Sequence, residues 1–296
     1  MTRRDLVAYA FLAPALLLLG VFTFYPIAVG TGLAFFDYSM IRHTAEGELM
    51  GPQFVGLGNF RRLADDPYFY TALVNSLLYL LIVPAIQFAS IVLAVMVNQP
   101  LRGRNFFRTA FYIPVITSVV VVGITWKWVL RSDGLANFLL GRVGLGPVGW
   151  LTDESVALFS VMFVTLWQGL GYYMILYLAG LQSIDPHLEE AARLDGASAW
   201  QVLTRITIPL LRPTVALCTI ISCISALKVF GEIYVMTQGG PKNATLTTVF
   251  YIFQRGFEEF QMGYAAAVAL VLAGLVGIIS YVNVRYFKEG GLSSYY

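Results

Sequence analysis

Residues 155–184 read Ser155-Val-Ala-Leu-Phe-Ser-Val-Met-Phe-Val-Thr-Leu-Trp-Gln-Gly-Leu-Gly-Tyr-Tyr-Met-Ile-Leu-Tyr-Leu-Ala-Gly-Leu-Gln-Ser-Ile184, thirty residues without one charged side chain. A helix needs roughly 20 mainly apolar residues to cross the hydrocarbon core of a bilayer. Lipid offers no partner to an unpaired backbone N–H or C=O, so such a stretch crosses as a helix. Similar uncharged stretches cover 6–36, 67–101, 109–126 and 260–284, and 213–241 is broken only by Lys228 and Glu232.

The reading is therefore an all-α membrane protein of six transmembrane helices, at about 8–36, 70–98, 109–130, 155–184, 213–237 and 261–284. The third is the weakest stretch, because Lys127 sits near its end. The first is too long for the apolar core of a signal peptide and is read as a retained span. Composition agrees: 58% of the 296 residues are hydrophobic and 12% are Asp, Glu, Lys or Arg. Ordinary soluble domains carry about 25% charge. Soluble nucleic-acid binders, extracellular disulfide scaffolds and disordered chains are excluded. The net charge of +2 carries no message about acidic partners. Cys218 and Cys223 lie in an apolar run, where two thiols read as packing residues rather than a redox pair.

Lys and Arg in the connections set the orientation. With both termini inside, the inside segments hold ten: Arg3, Arg4, Arg102, Arg104, Arg108, Arg193, Arg205, Arg212, Arg285 and Lys288. The outside segments hold seven: Arg42, Arg61, Arg62, Arg131, Arg142, Lys242 and Arg255. The outside loops are longer in total, and the turn 101–108 carries three arginines and no acid. Termini inside is the expected topology. The longest outside loop, about 37–70, has room for a short interfacial helix. Phe257, Phe260 and Tyr264 read as an aromatic anchor at an interface.

The inside loop that follows the quoted stretch differs from the others. It runs over 185–212 as Asp-Pro-His-Leu-Glu-Glu-Ala-Ala-Arg-Leu-Asp-Gly-Ala-Ser-Ala-Trp-Gln-Val-Leu-Thr-Arg-Ile-Thr-Ile-Pro-Leu-Leu-Arg. Asp185 is a suitable N-cap, with Pro186 at the first helical position. Leu188, Ala191, Ala192 and Asp195 fall on one face at helical spacing, and Gly196 supplies the left-handed stop. A second short helix should begin near Ser198 and expose Trp200 and Leu203. Two readings fit this helix-turn-helix: a helix seated in a partner's groove, or an amphipathic loop on lipid headgroups.

Glu190-Ala191-Ala192, three residues, Gly196, nine residues and Ile206-Thr-Ile-Pro209 resemble the EAA loop of ABC-importer permeases, with Ile208 in place of Leu. Asp195, Ala197 and Pro213 resemble the sugar-transporter version; Leu203 replaces the usual aromatic. Phe11-Leu-Ala-Pro14, Tyr25-Pro26-Ile27, Val55-Gly-Leu-Gly-Asn-Phe60, Arg102-Gly-Arg-Asn-Phe-Phe-Arg-Thr109 and Thr237-Gln-Gly-Gly-Pro241 resemble further landmarks of that family. The resemblance is to the carbohydrate-uptake, maltose-type branch, whose permeases have the type I importer fold. It implies that Glu190, Ala191, Ala192, Asp195, Gly196 and Pro209 form the contact with a cytoplasmic ATPase dimer. It further implies a second, different permease as partner, an extracytoplasmic sugar-binding protein, and a bacterial or archaeal inner membrane.

A path through lipid needs polar groups facing inward. Thr165, Gln168, Gly169 and Tyr172 share one face of the fourth span, and Ser222, Ser225, Val229 and Glu232 one face of the fifth. The resemblance places sugar-contacting positions on these faces. Hydroxyls and amides suit a neutral polyol, and Tyr172 or Trp167 can stack on a sugar ring. The competing reading is that Ser and Thr bind neighbouring helices together. Lys228 and Glu232, four apart, are either an ion pair or path residues.

Some chemistry is not expected. None of the four lysines follows a glycine, so no phosphate-binding loop exists and ATP hydrolysis belongs to another chain. His43 and His187 are the only histidines, and both lie outside the spans, which disfavours a histidine metal site or a membrane Ser–His protease. No cofactor is expected. Rival functions are an ion-gradient-driven secondary transporter, which would not need the 185–212 loop, and a non-transporting assembly protein. The sugar itself is left open among disaccharide, oligosaccharide and glycerol phosphate.

Overall fold

The computed structural model describes residues 3–41, 51–99 and 103–289, with side chains from 11 to 287 among them. Arg42, His43, Leu101 and Arg102 lie outside the described residues, as do the side chains of Arg3, Arg4 and Lys288. Helix α1 (Arg3–Leu19) passes through a π-helical turn at Gly20–Phe24 into α2 (Tyr25–Leu33). A two-residue ribbon follows, β1 (Phe36–Asp37) antiparallel to β2 (Gln53–Phe54), with Phe36 opposite Phe54. Then come α3 (Gly58–Ala64), α4 (Pro67–Leu78), α5 (Ile82–Asn98), α6 (Arg104–Ile116), α7 (Val119–Val129) and α8 (Leu135–Arg142). The chain continues through α9 (Ala157–Gln182), α10 (Pro186–Leu194), α11 (Ala199–Val202), α12 (Ile208–Leu210) and α13 (Arg212–Leu227). It ends with α14 (Gly231–Met236), α15 (Thr248–Phe253) and α16 (Met262–Glu289).

Five of these stretches are long and apolar enough to cross a membrane: Phe11–Leu33, Pro67–Asn98, Ala157–Gln182, Arg212–Met236 and Met262–Phe287. A sixth arises if α6 and α7 count together, although they meet at 100°. The sequence reads 109–130 as one span, and the bend has a local cause. Pro114 weakens the last turn of α6, and the Thr117 hydroxyl turns back to donate to the Ile113 carbonyl at 2.8 Å. Ser118 then caps α7 by accepting the Val120 N–H.

Irregular turns elsewhere follow the prolines. Pro26, Pro84 and Pro209 lack the N–H that would bond four residues back, to Phe22, Leu80 and Arg205. Each of those carbonyls lies inside a non-α turn: π-helical at Gly20–Phe24, 3₁₀ at Tyr79–Leu81 and π-helical at Leu203–Thr207.

The described residues form two compact units. One runs to Phe69 and resumes over Tyr251–Gly274; the other is Tyr70–Phe250 with the stretch from Leu275. In the first unit, Asn59 donates to the carbonyls of Ala34 and Phe36, each at 2.9 Å, tying α3 to the end of α2. This short helix lies in the loop read at 37–70. Asp66 accepts hydrogen bonds from the hydroxyls of Tyr251 and Tyr264, and from the Tyr68 N–H at 2.9 Å. Burial opposes the charge on Asp66, but these bonds together hold its carboxyl below the usual carboxylate range. Burial and the bond to Asp66 push the Tyr251 hydroxyl up to about 12. Tyr264 is thus a buried partner of Asp66 rather than an interfacial anchor, being 2% exposed. Phe257 is exposed and Phe260 half-buried.

In the second unit α5 lies along α9. Ile86, Ala94 and Val97 pack with Tyr173, Met174, Tyr177 and Leu181, and α13 adds Cys218. Cys218 and Cys223 are both free thiols. Gly171 lets α6 and α9 touch backbone to backbone: a Cβ there would lie 2.0 Å from the Phe111 carbonyl oxygen. Small residues at crossings are how membrane helices approach closely.

Candidate functional site

The second unit holds a cavity of about 630 Å³ between α5, the α6–α7 bend, α9 and the α13–α14 junction. All eight positions read as path candidates line its wall: Thr165, Gln168, Gly169, Tyr172, Ser222, Ser225, Val229 and Glu232. Ser222 and Val229 do so while buried, only 4% and 5% exposed. What each can offer a ligand differs.

Gln168 donates its amide to the Thr117 carbonyl at 3.2 Å, holding α9 against the bend between α6 and α7. Tyr172 is exposed and packs edge-on against Tyr173 at 5.1 Å. Ser225 is exposed on the wall. Gly169 leaves room for Ile86, whose Cδ1 would lie 2.8 Å from an added Cβ. Thr165 and Ser222 are already engaged. The Thr165 hydroxyl is 2.6 Å from that of Tyr79 and donates to the Val161 carbonyl at 3.2 Å. Ser222 accepts from Gln87 at 2.7 Å and donates to the Thr219 carbonyl at 3.0 Å. Gln87 also donates to the Cys218 carbonyl at 3.0 Å and accepts from Tyr177 at 2.5 Å. The Val229 side chain is buried, and its carbonyl accepts from Thr247 at 3.2 Å.

Lys228 and Glu232 both line the cavity, but no ion pair joins them among the described residues. The four-residue spacing brings charges together only on a continuous helix. Here α13 stops at Leu227, with Lys228 as its cap, and α14 starts only at Gly231. Thr165 is instead the side-chain neighbour of the Glu232 carboxyl.

Reading spans from single helices missed Tyr79 and Gln87, which occupy the inner ends of the Thr165 and Ser222 bonds. The available signal was Gln87, an amide deep in an uncharged stretch, where unpaired polar groups are costly.

The loop 185–212 is built by its caps. Asp185 accepts the His187 N–H at 3.0 Å, with Pro186 in the first turn of α10. At the other end, Ala197 N–H donates to the Ala192 carbonyl at 2.9 Å and Gly196 N–H to Arg193 at 3.1 Å. This pair of bonds needs a left-handed residue between them, and Gly196 has φ +86°. Ser198 and Gln201 cap α11 reciprocally, at 3.3 and 2.8 Å. Glu190, Ala191, Asp195 and Gly196 are exposed, Ala192 and Pro209 half-buried. Leu188, Leu194 and Trp200 also face outward, whereas Leu203, expected to be exposed, is half-buried.

Comparisons with known proteins cover nearly the whole chain. It is 36% identical to the lactose transport system permease protein LacF of Rhizobium radiobacter, over 96% of this chain and 95% of that one. It is 34% identical to the arabinooligosaccharides transport system permease protein AraP of Bacillus subtilis, over 94% and 87%. The fold matches that of a chain from a bacterial ABC transporter involved in the import of the acidic polysaccharide alginate. That likeness has a TM-score of 0.83 and 26% identity, and covers 97% of this chain and 96% of the other. This is the type I importer permease fold. A family model described as "Binding-protein-dependent transport system inner membrane component" matches residues 87–287. The chain belongs to the family of binding-protein-dependent transport system inner membrane components.

Proposed function

We propose that this chain is one permease subunit of an ATP-driven, binding-protein-dependent sugar importer that works by alternating access. The observation that carries this reading is the likeness, over 96% of this chain, to a lactose permease at 36% identity. A relative named for arabinooligosaccharides supports a saccharide substrate. The cavity suits a neutral sugar: Gln168 and Ser225 offer an amide and a hydroxyl, and Tyr172 an aromatic face. Glycerol phosphate fits less well, because Lys228 is the only cation on the wall among the described residues and Glu232 shares it.

Both termini lie on the cytoplasmic side in this reading, which puts 185–212 there as well. The exposed row Leu188, Ala191 and Leu194, with Glu190 beside it, has the form of a helix made for a groove. The occupant of choice is a cytoplasmic ATPase dimer, which would press on Glu190, Ala191, Ala192, Asp195 and Gly196 when it closes. No residue of Phe11–Leu33 is buried among the described residues, in keeping with a second, different permease completing the path. An extracytoplasmic binding protein would deliver the sugar.

The test changes Glu190→Ala and Gly196→Ala separately and measures uptake and ATPase association as two quantities. No atom lies within 4 Å of a Cβ at Gly196, so that substitution acts only through its left-handed backbone. The strain is about 1–2 kcal/mol. Both variants are expected to lose uptake together with association. Normal uptake with normal association in both would overturn the role of this loop.

A further inference from the structure

The carboxylate of Glu190 stands in solvent, its side chain 68% exposed, with the Nδ1 of the exposed His187 3.4 Å away. The adjacent Glu189 behaves differently. Its Oε1 accepts the Thr207 hydroxyl at 2.9 Å, and its Oε2 lies 3.9 Å from Arg193 one turn along. Thr207 is 4% exposed and closes the π-helical turn Leu203–Thr207, which leads through α12 into α13. The bond therefore joins α10 to the base of a span eighteen residues further on.

Little else on that side fills the space. A cavity of about 560 Å³ separates the loop from the ends of α5 and α9, with Glu189, Arg193 and Thr207 on one wall and Asn98 and Leu181 on the other. A push on α10 can be lost by tilting the helix into this space about the Gly196 turn. A hydrogen bond to a carboxylate resists that tilt because it is directional and stronger than one between neutral groups. Arg193 adds a weaker, partly exposed ion pair at 3.9 Å, in the favourable order with the acid N-terminal to the base.

We propose that Glu189 is a positioning residue of the transport stroke: its bond to Thr207 makes α10 and the base of α13 move as one body, while Glu190 faces the motor. This rests on the reading of 185–212 as the ATPase-contacting loop.

The experiment uses the assembled transporter in lipid, with site-specific labels at Pro186 in the first turn of α10, outside the row that faces the motor, and at Leu217 on α13, both exposed. The distance between labels is measured without nucleotide and after trapping with ATP and vanadate, alongside the ATPase rate. In the parent the distance is expected to stay constant through the cycle. In Glu189→Ala and in Thr207→Val it should change on trapping by roughly 2 Å or more, the scale of helix shifts in switching proteins, with hydrolysis retained. Glu189→Gln keeps an oxygen that accepts from Thr207 and should restore the parent behaviour; a generally loosened loop would not be rescued. If Thr207→Val does not assemble, Glu189→Ala on the loop surface carries the test alone. An unchanged distance in Glu189→Ala, with Glu190→Ala still losing ATPase association, overturns the proposal and leaves the loop reading standing. Normal behaviour in both variants overturns the two together.

Discussion

Gly171→Ala offers a test of the helix packing that shapes the cavity. The Cβ it adds would lie 2.0 Å from the Phe111 carbonyl oxygen, 2.7 Å from its carbon and 3.1 Å from the Tyr112 Cα, all main-chain atoms of α6. A carbon seldom approaches a carbonyl oxygen closer than about 3.3 Å, so α6 and α9 would have to part by roughly 1.3 Å (3.3 − 2.0). No side-chain rotation relieves a clash with backbone. Overpacking of this kind costs about 1–3 kcal/mol and sometimes more; the upper end applies here, about 3 kcal/mol, or roughly a hundredfold in the ratio of folded to unfolded protein. Gly169→Ala, two residues away, is the control: its Cβ meets no backbone, only the Ile86 Cδ1 at 2.8 Å, the free end of a flexible side chain, and the Tyr173 ring at an ordinary 3.8 Å. The assay is the thermal midpoint of the monodisperse peak on size-exclusion chromatography in detergent. Gly171→Ala should fall several degrees below Gly169→Ala, which should stay near the parent. Equal midpoints for the two variants would refute the backbone-contact argument.

Two further outcomes follow from the bonding. The Asp66 carboxyl is held below its ordinary value of 3.8, so its contribution to stability is present above that pH and is lost as pH falls through 3.8 and below. Melting from pH 6 to pH 3 should therefore show a drop that Asp66→Asn reduces; an identical pH dependence in the variant would count against the network with Tyr251 and Tyr264. Gln87→Ala removes the shared partner of Tyr177, Ser222 and the Cys218 carbonyl, and should cost about 1–3 kcal/mol in the same thermal assay. A midpoint equal to the parent's would show that water or a new partner satisfies these groups.

The loop 185–212 was legible in sequence because its signals are local. An Asp-Pro start, a glycine stop and a Ser-x-x-Gln start each fix the backbone within a few residues, and α10 and α11 begin and end on them. The positions of the apolar helices were legible for a similar reason, since a charge marks where a stretch must leave lipid. The breaks were harder to see. Nothing in 109–130 is charged before Lys127, so counting charges joins α6 to α7; the bend comes from Pro114 and from hydroxyls at Thr117 and Ser118 that bond to their own backbone. The same blindness placed Lys228 and Glu232 on one helix, when the turn at 228–230 separates them.

What no single stretch could reveal is which polar side chain a neighbouring helix has already engaged. Thr165, Gln168, Ser222 and Ser225 look alike on a helical wheel. Tyr79 and Gln87, arriving from the α4–α5 segment, separate them. A sugar hydroxyl bonding to Ser222 must first displace an amide at 2.7 Å in a buried setting, where a freed donor is costly. Tyr172 carries no such cost, being exposed on the wall; Ser225 is exposed too but has the Tyr173 hydroxyl of α9 as a partner, and Gln168 has only its N–H committed, to Thr117. That last bond gives Gln168 two duties. It holds the α6–α7 bend against α9, so a ligand drawing on the same amide would loosen the bend, while one using only the amide oxygen would leave it in place. Among the eight path candidates, Gln168 is therefore the one whose side chain hydrogen-bonds to the turn between α6 and α7.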